Sequence, residues 1–152
     1  MSIRLEYAKA SPEVFKAMLG VEKLLHASLE SGLLHMVKLR ASQINGCAFC
    51  IDMHWKDARA AGESEQRLYA LDAWEESPFY TDRERAAFAW TESLTHVATT
   101  HAPDADFAEV RKHFIDEQLA ALTWAIATIN AWNRIGIAFR STPGVYQPPK
   151  TH

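Results

Sequence analysis

The stretch Ala41-Ser42-Gln43-Ile44-Asn45-Gly46-Cys47-Ala48-Phe49-Cys50-Ile51-Asp52-Met53-His54 carries both cysteines of the 152-residue chain. If it is helical from about Cys47, steps of three and four residues place Cys47, Cys50 and His54 on one face. That face holds two thiols and a base. Asn45-Gly46 reads as a turn before the first thiol, with Asn a favoured N-cap residue. Cys47 is then expected in the first helical turn, where free N–H groups and the helix dipole favour thiolate over thiol.

Working outward, the flanking segments are predicted to be helical throughout. Ser11-Pro12 opens a helix, Ser as N-cap and Pro at the first position, with Val14, Met18, Val21 and Leu25 as its buried stripe. A second helix is expected from about Gly32 to Ile44, with Lys38 and Arg40 outside or paired, followed by the cysteine helix, which stops near Ala61 before Gly62. Lys56, Asp57 and Arg59 give the later turns of that helix a solvated side. Glu65 to Trp74 allows a short helix, and Thr81-x-x-Glu84 is a capping box for a long one striped by Ala87, Trp90, Leu94 and Val97. Phe88, Glu92 and Thr95 lie on another face of it. Asp104 is expected to cap the next helix. The last runs from about Asp116 to Phe139 and is apolar almost all round, which suits a position central to the core or against another subunit. Residues 1–10 read as an arm that docks elsewhere and residues 141–152 as a non-helical tail. No convincing strand alternation, internal repeat or second domain is evident, so residues 1–152 are read as one all-α domain.

Composition excludes several classes of function. A chain of this length buries roughly 68–70% of its unfolded surface and needs no staple, so the C-x-x-C points to chemistry. A formal net charge of −3 without a Lys/Arg cluster disfavours nucleic-acid binding. No apolar run approaches the ~18 residues of a membrane span, and no secretory n-region precedes one. A cytoplasmic, reducing environment is expected.

Four uses of the cysteine face remain open on the residues alone. They are thiol redox chemistry with His54 as base, a zinc site of two thiolates and an imidazole, haem attachment, and two inert buried cysteines. Haem is set aside, because Ile51 stands where covalent attachment needs histidine. Three donors from one helix face suit a tetrahedral metal poorly. Of the other histidines, His26, His96, His101, His113 and His152 are expected to be solvated or capping. His35 lies among Leu33, Leu34, Met36 and Val37 and needs a partner if buried, so core and functional roles are both open to it. The five tryptophans are expected in the core or at an interface.

The run Leu39-Arg40-Ala41-Ser42-Gln43-Ile44-Asn45-Gly46-Cys47-x-x-Cys50-x-x-x-His54 resembles the core motif of the AhpD-like alkylhydroperoxidases, within the carboxymuconolactone decarboxylase superfamily. Lys56-Asp57-Ala58-Arg59, Gly62-Glu63, Trp90-Thr91-Glu92 and Asn130-Ala131-Trp132-Asn133-Arg134 extend the similarity. The resemblance implies an all-helical AhpD-like fold and assembly into homotrimers or hexamers, and the sequence requires no metal or organic cofactor. It implies a thiol peroxidase of antioxidant defence. Cys50 would attack the hydroperoxide, Cys47 would resolve the sulfenic acid and face the donor, and His54 would relay protons. A dithiol reductant, dihydrolipoyl or thioredoxin-like, would close the cycle. The family's relay begins with a glutamate where this chain has His35. Histidine cannot supply a fixed negative charge, so Glu92 is expected to substitute, with His35 the other candidate. The alternatives are a general dithiol-disulfide oxidoreductase, decarboxylase-like lactone chemistry, and a metal-binding or scaffold protein using the same face.

Overall fold

The structure, a computed structural model, describes residues 2–149. Nine α-helices follow one another, with no strand among the described residues: α1 (Tyr7–Ala10), α2 (Pro12–Ser28), α3 (Ser31–Asn45), α4 (Ala48–Ala60), α5 (Glu65–Tyr69), α6 (Asp82–Thr95), α7 (Val97–Thr100), α8 (Asp104–Arg111) and α9 (Asp116–Phe139). A 3₁₀ turn, Leu71–Ala73, follows α5. Helix α3 is the centre of the bundle, packed against α4, α6 and α9. Its residues Leu34, Met36, Val37, Leu39 and Ala41 are fully buried, which is why its sequence shows so little amphipathic contrast. The four larger of these share one core with Leu68, Leu71, Phe88, Leu122 and Ile126.

Local signals set most boundaries. Thr81 and Glu84 form the reciprocal capping box expected of them at the start of α6. Helix α9 has the predicted bounds and lies partly in the core through Leu119, Leu122, Ile126 and Ile129, while Trp124 is 66% exposed. The N-terminal arm docks on α9: the N–H of Arg4 donates to the carbonyl of Phe139 (3.0 Å), and Tyr7 stacks on Phe139.

Several expectations are corrected. Asn45 is the last residue of α3 rather than the N-cap of the next helix. Gly46 takes the left-handed conformation (φ 69°), and the N–H of Cys47 returns to the carbonyl of Ser42 (3.1 Å), closing α3 as a Schellman motif. Cys47 itself is the N-cap of α4, so Cys50 occupies the first turn. Pro103, not Asp104, holds the cap position of α8, and Ser11 makes no capping hydrogen bond for α2. On α2 the expected stripe is buried only at Leu25, and Val14 is 63% exposed, because α2 lies at the margin of the bundle. On α6 the off-stripe Phe88 is fully buried, edge-on to Trp74 and Tyr80, whereas Val97 falls beyond the helix and is exposed. Neighbours on two sides of α6 outweigh its single-stripe pattern. Asp57 is half-buried rather than solvated. Residues 141–149 are non-helical as expected, and His152 lies outside the described residues.

Candidate active site

The turn preceding the cysteines is bolted to α9. Asn45 Nδ2 donates to Oδ1 of Asn130 and of Asn133, at 2.9 Å each. Asn133 Nδ2 donates to Ser42 Oγ (3.0 Å), and Ser42 Oγ donates to the carbonyl of Lys38 (2.8 Å). Buried amides satisfied in this way fix the position of Cys47 without using its side chain. Three residues beyond Asn133 on α9, Gly136 lies beneath the sulfurs: a Cβ there would be 3.1 Å from Cys47 Sγ and 3.5 Å from Cys50 Sγ.

Cys47 and Cys50 are joined in a disulfide, their Cα atoms 5.3 Å apart. The N–H of Cys50 also points at Cys47 Sγ (3.4 Å). The two sulfurs differ in surroundings. Both are almost wholly buried, but Cys50, in the first turn of α4, forms part of the wall of a cavity of about 280 Å³ that Cys47 does not line. The cavity is mainly apolar, faced by Phe15, Leu19, Phe49, Met53 and Trp132, with a polar side made of Glu22, Lys38, His26, His35, His54 and Asp57.

On that polar side, Lys38 is 2% exposed and ion-paired with Glu22, which also accepts from Trp132 Nε1 (2.9 Å). His54 is buried, and neither of its ring nitrogens has a hydrogen-bond partner among the described residues. The Nδ1 of His35 has none either. Burial pushes His54 well below its ordinary pKa, and the positive charge of Lys38 and the neighbouring His35 and His26 add to the effect. Burial likewise lowers His35, against which the carboxylate of Asp57 pulls upward. All three histidines are therefore neutral near pH 7, since His26 is lowered by burial as well. The rings of His26 and His35 are 5.5 Å apart, those of His35 and His54 6.5 Å. Asp57, held by the Tyr146 hydroxyl (2.7 Å), brings a carboxylate oxygen within 4.8 Å of ring nitrogens of both His35 and His54.

Of the residues singled out in the sequence, Cys50, His54 and His35 meet at the cavity, and Cys47 sits behind Cys50. Glu92 does not join them. Its Oε1 accepts from Arg40 Nε (2.8 Å) and Trp74 Nε1 (2.6 Å), and it is not among the cavity-lining residues. Its place off the apolar stripe of α6 is explained by this pairing. His26, expected to be solvated or capping, is exposed and also lines the cavity. Glu22, Lys38, Asp57 and Gly136 were missed. Asp57 was detectable, three residues after His54 on the same helix face, and Lys38 was a charge inside an apolar run. Nothing local marks Glu22 or Gly136, since their relation to the cysteines runs between helices.

Residues 12–93 match the model of the carboxymuconolactone decarboxylase family. The chain is 45% identical over 139 residues to the uncharacterized protein YdfG of Bacillus subtilis (strain 168), covering 91% of this chain and 95% of that one. Its fold superposes with a TM-score of 0.91, at 49% identity, on ATU0492 of Agrobacterium tumefaciens, covering 95% of this chain and all of the other. That protein is described as one of unknown function and a candidate antioxidant defence protein AhpD. An AhpD-core, peroxidase-related protein of Ralstonia eutropha JMP134 shares the fold at 20% identity (TM-score 0.79, covering 91% of this chain and 75% of that one). The chain belongs to the carboxymuconolactone decarboxylase family, among its AhpD-like members.

Proposed function

We propose that the protein reduces organic hydroperoxides through a Cys47/Cys50 dithiol cycle. One observation carries this reading: Cys50, joined to Cys47, opens onto an apolar cavity beside a buried, neutral imidazole. In the reduced protein, His54 accepts the Cys50 thiol proton as the thiolate attacks the distal peroxide oxygen. The O–O bond breaks, the alkoxide takes the proton back from His54 and leaves as alcohol, and Cys50 becomes sulfenic acid. Cys47 then attacks Cys50 sulfur, releasing water and forming the disulfide. An external dithiol reduces this to two thiols and is itself oxidised to a disulfide.

Because burial disfavours the imidazolium, His54 acts as a transient proton carrier rather than as a standing ion-pair partner. The thiolate charge is met by the start of α4 and by Lys38, the cation of the cavity wall. Asp57 takes the role foreseen for Glu92, supplying a fixed negative charge behind His35 and His54. The aromatic and aliphatic wall favours a peroxide with an apolar substituent over hydrogen peroxide. Exposed apolar residues such as Trp124 and Ile115 fit assembly into a homo-oligomer, a trimer or hexamer, which light scattering of purified protein checks.

The test is peroxide consumption by wild type, Cys47→Ser and Cys50→Ser with a panel of dithiol donors. Cys50→Ser is expected to abolish consumption, and Cys47→Ser to leave one turnover and a sulfenic acid that a dimedone probe labels. Consumption undiminished in Cys50→Ser, or thiols of the wild type that survive excess hydroperoxide, overturns the proposal.

A further inference from the structure

The cluster behind Cys50 contains a donor set that the thiol cycle does not use as such. His35 on α3 and His54 and Asp57 on α4 each offer one donor atom, and the three atoms lie within 4.8 Å of one another. His54 and His35 are both more than nine-tenths buried. Both ring nitrogens of His54 and Nδ1 of His35 lack any hydrogen-bond partner among the described residues. Unsatisfied buried polar atoms are costly and rare in native proteins, and three from two facing imidazoles call for a common partner.

We propose that His35, His54 and Asp57 bind a divalent transition-metal ion, zinc by the nature of the set, and that the bound ion holds the cycle off by occupying the imidazole of His54. The second clause rests on the reading of His54 as the proton carrier; the first does not. Two imidazoles and one carboxylate make up a three-ligand zinc site with an open fourth position. Ligands on a tetrahedral zinc stand about 3.3 Å apart, from bond lengths near 2.0–2.1 Å. Side-chain rotations that close the cluster by roughly 1.5 Å therefore suffice. His54 and Asp57 are three residues apart on one helix face, which brings their side chains to the same side. Tyr146 holds one oxygen of Asp57 (2.7 Å), the kind of outer hydrogen bond that orients a metal-binding carboxylate and leaves the other oxygen for the ion.

Two of the three donors also face a second cavity that neither cysteine lines. These are His35 and Asp57, and the cavity, of about 310 Å³, has His26, Tyr146, Pro148 and Pro149 around it. The ring of His26 stands 5.5 Å from that of His35 at the edge of this cluster. Lys38, the cation of the cavity wall, is paired with Glu22. With Cys47 and Cys50 joined, no thiolate competes with these donors for the ion.

The test uses tag-free, fully oxidised protein, titrated with Zn²⁺ against a chromophoric chelator and with Co²⁺ by visible absorption. One ion per chain is expected, with a low-coordinate Co²⁺ spectrum. Affinity is expected to fall at least tenfold in both His35→Gln and Asp57→Asn, and to persist in the Cys47→Ser/Cys50→Ser double variant. In the reduced wild type, one equivalent of Zn²⁺ is expected to stop peroxide turnover and a chelator to restore it. Absence of stoichiometric binding, binding indifferent to both His35→Gln and Asp57→Asn, or binding lost only with the cysteines overturns the site. Turnover that continues with the ion bound overturns the inhibition. Because binding is measured on the disulfide form, where nothing turns over, failure of the peroxidase reading leaves it intact.

Discussion

Lys38→Met isolates the ion pair that lines the candidate site. Lys38 is 2% exposed, and its partner Glu22 retains 18% of its side-chain surface and one further donor, Trp132 Nε1. Removing one member of a fully buried pair costs ~3–5 kcal/mol, because the other charge stays buried without compensation. Partial solvation and the indole bond of Glu22 reduce that to about 2–3 kcal/mol here. In a domain of this size each kcal/mol moves Tm by roughly 2–4 °C, so a fall of about 4–12 °C is expected. Adding Glu22→Gln, which keeps an acceptor for Trp132 and removes the stranded charge, is expected to recover most of the loss. Chemical and thermal unfolding of the four members of this double-mutant cycle give the coupling directly. The same single variant removes the cation of the cavity wall that Cys50 shares and leaves Glu22 there without its counter-charge, so alkylation of the reduced protein is expected to need higher pH. A Lys38→Met protein as stable as wild type, or a double variant no more stable than the single one, refutes the argument.

Glu92→Gln weakens the bonds to Arg40 and Trp74 and is expected to cost about 1–2 kcal/mol while leaving peroxide turnover unchanged; a stable protein with lost turnover would return Glu92 to the relay. Gly136→Ala gains about 1 kcal/mol of helix propensity but sets a Cβ 3.1 Å from Cys47 Sγ, a crowding that costs ~1–3 kcal/mol. Unfolding of the oxidised protein should therefore show no stabilisation, and a gain of the full propensity term would refute the close packing. Stability also depends on pH through the histidines of the cavity. His54, His35 and His26 are lowered in the fold, so below pH ~6.5 the unfolded chain binds more protons than the native one. Their contribution is whole above that pH and is lost as pH falls toward the depressed native values. Tm should drop between pH 7 and 5, less so in His54→Gln; a flat profile contradicts neutral burial. Asp52, lowered by its hydrogen bond from Lys56, adds a separate loss only at more acid pH.

The local signals in the chain are strong where a single residue type decides geometry. Pro12 and the Thr81/Glu84 pair mark helix starts, Gly46 marks a stop, and the length of the α9 pattern fixes its span. The cysteine motif was legible for the same reason, since Cys47, Cys50 and His54 belong to one stretch and helical periodicity relates them. Legibility fails on α2 and α6. Whether Val14 or Phe88 is buried depends on how many neighbours surround the helix, which periodicity within that helix does not record.

The sequence by itself determined an all-helical chain, two thiols one turn apart and an imidazole one turn further along. Only the tertiary structure decided which charges stand around them. It turned Glu92 toward Arg40 and Trp74, brought Glu22 and Lys38 into one ion pair, and set Asp57 beside His35. The reason is that a helix fixes its own side chains relative to one another through hydrogen bonds four residues apart. Partners from different helices are chosen by packing and by the need of every buried charge for a counter-charge, which no local pattern encodes.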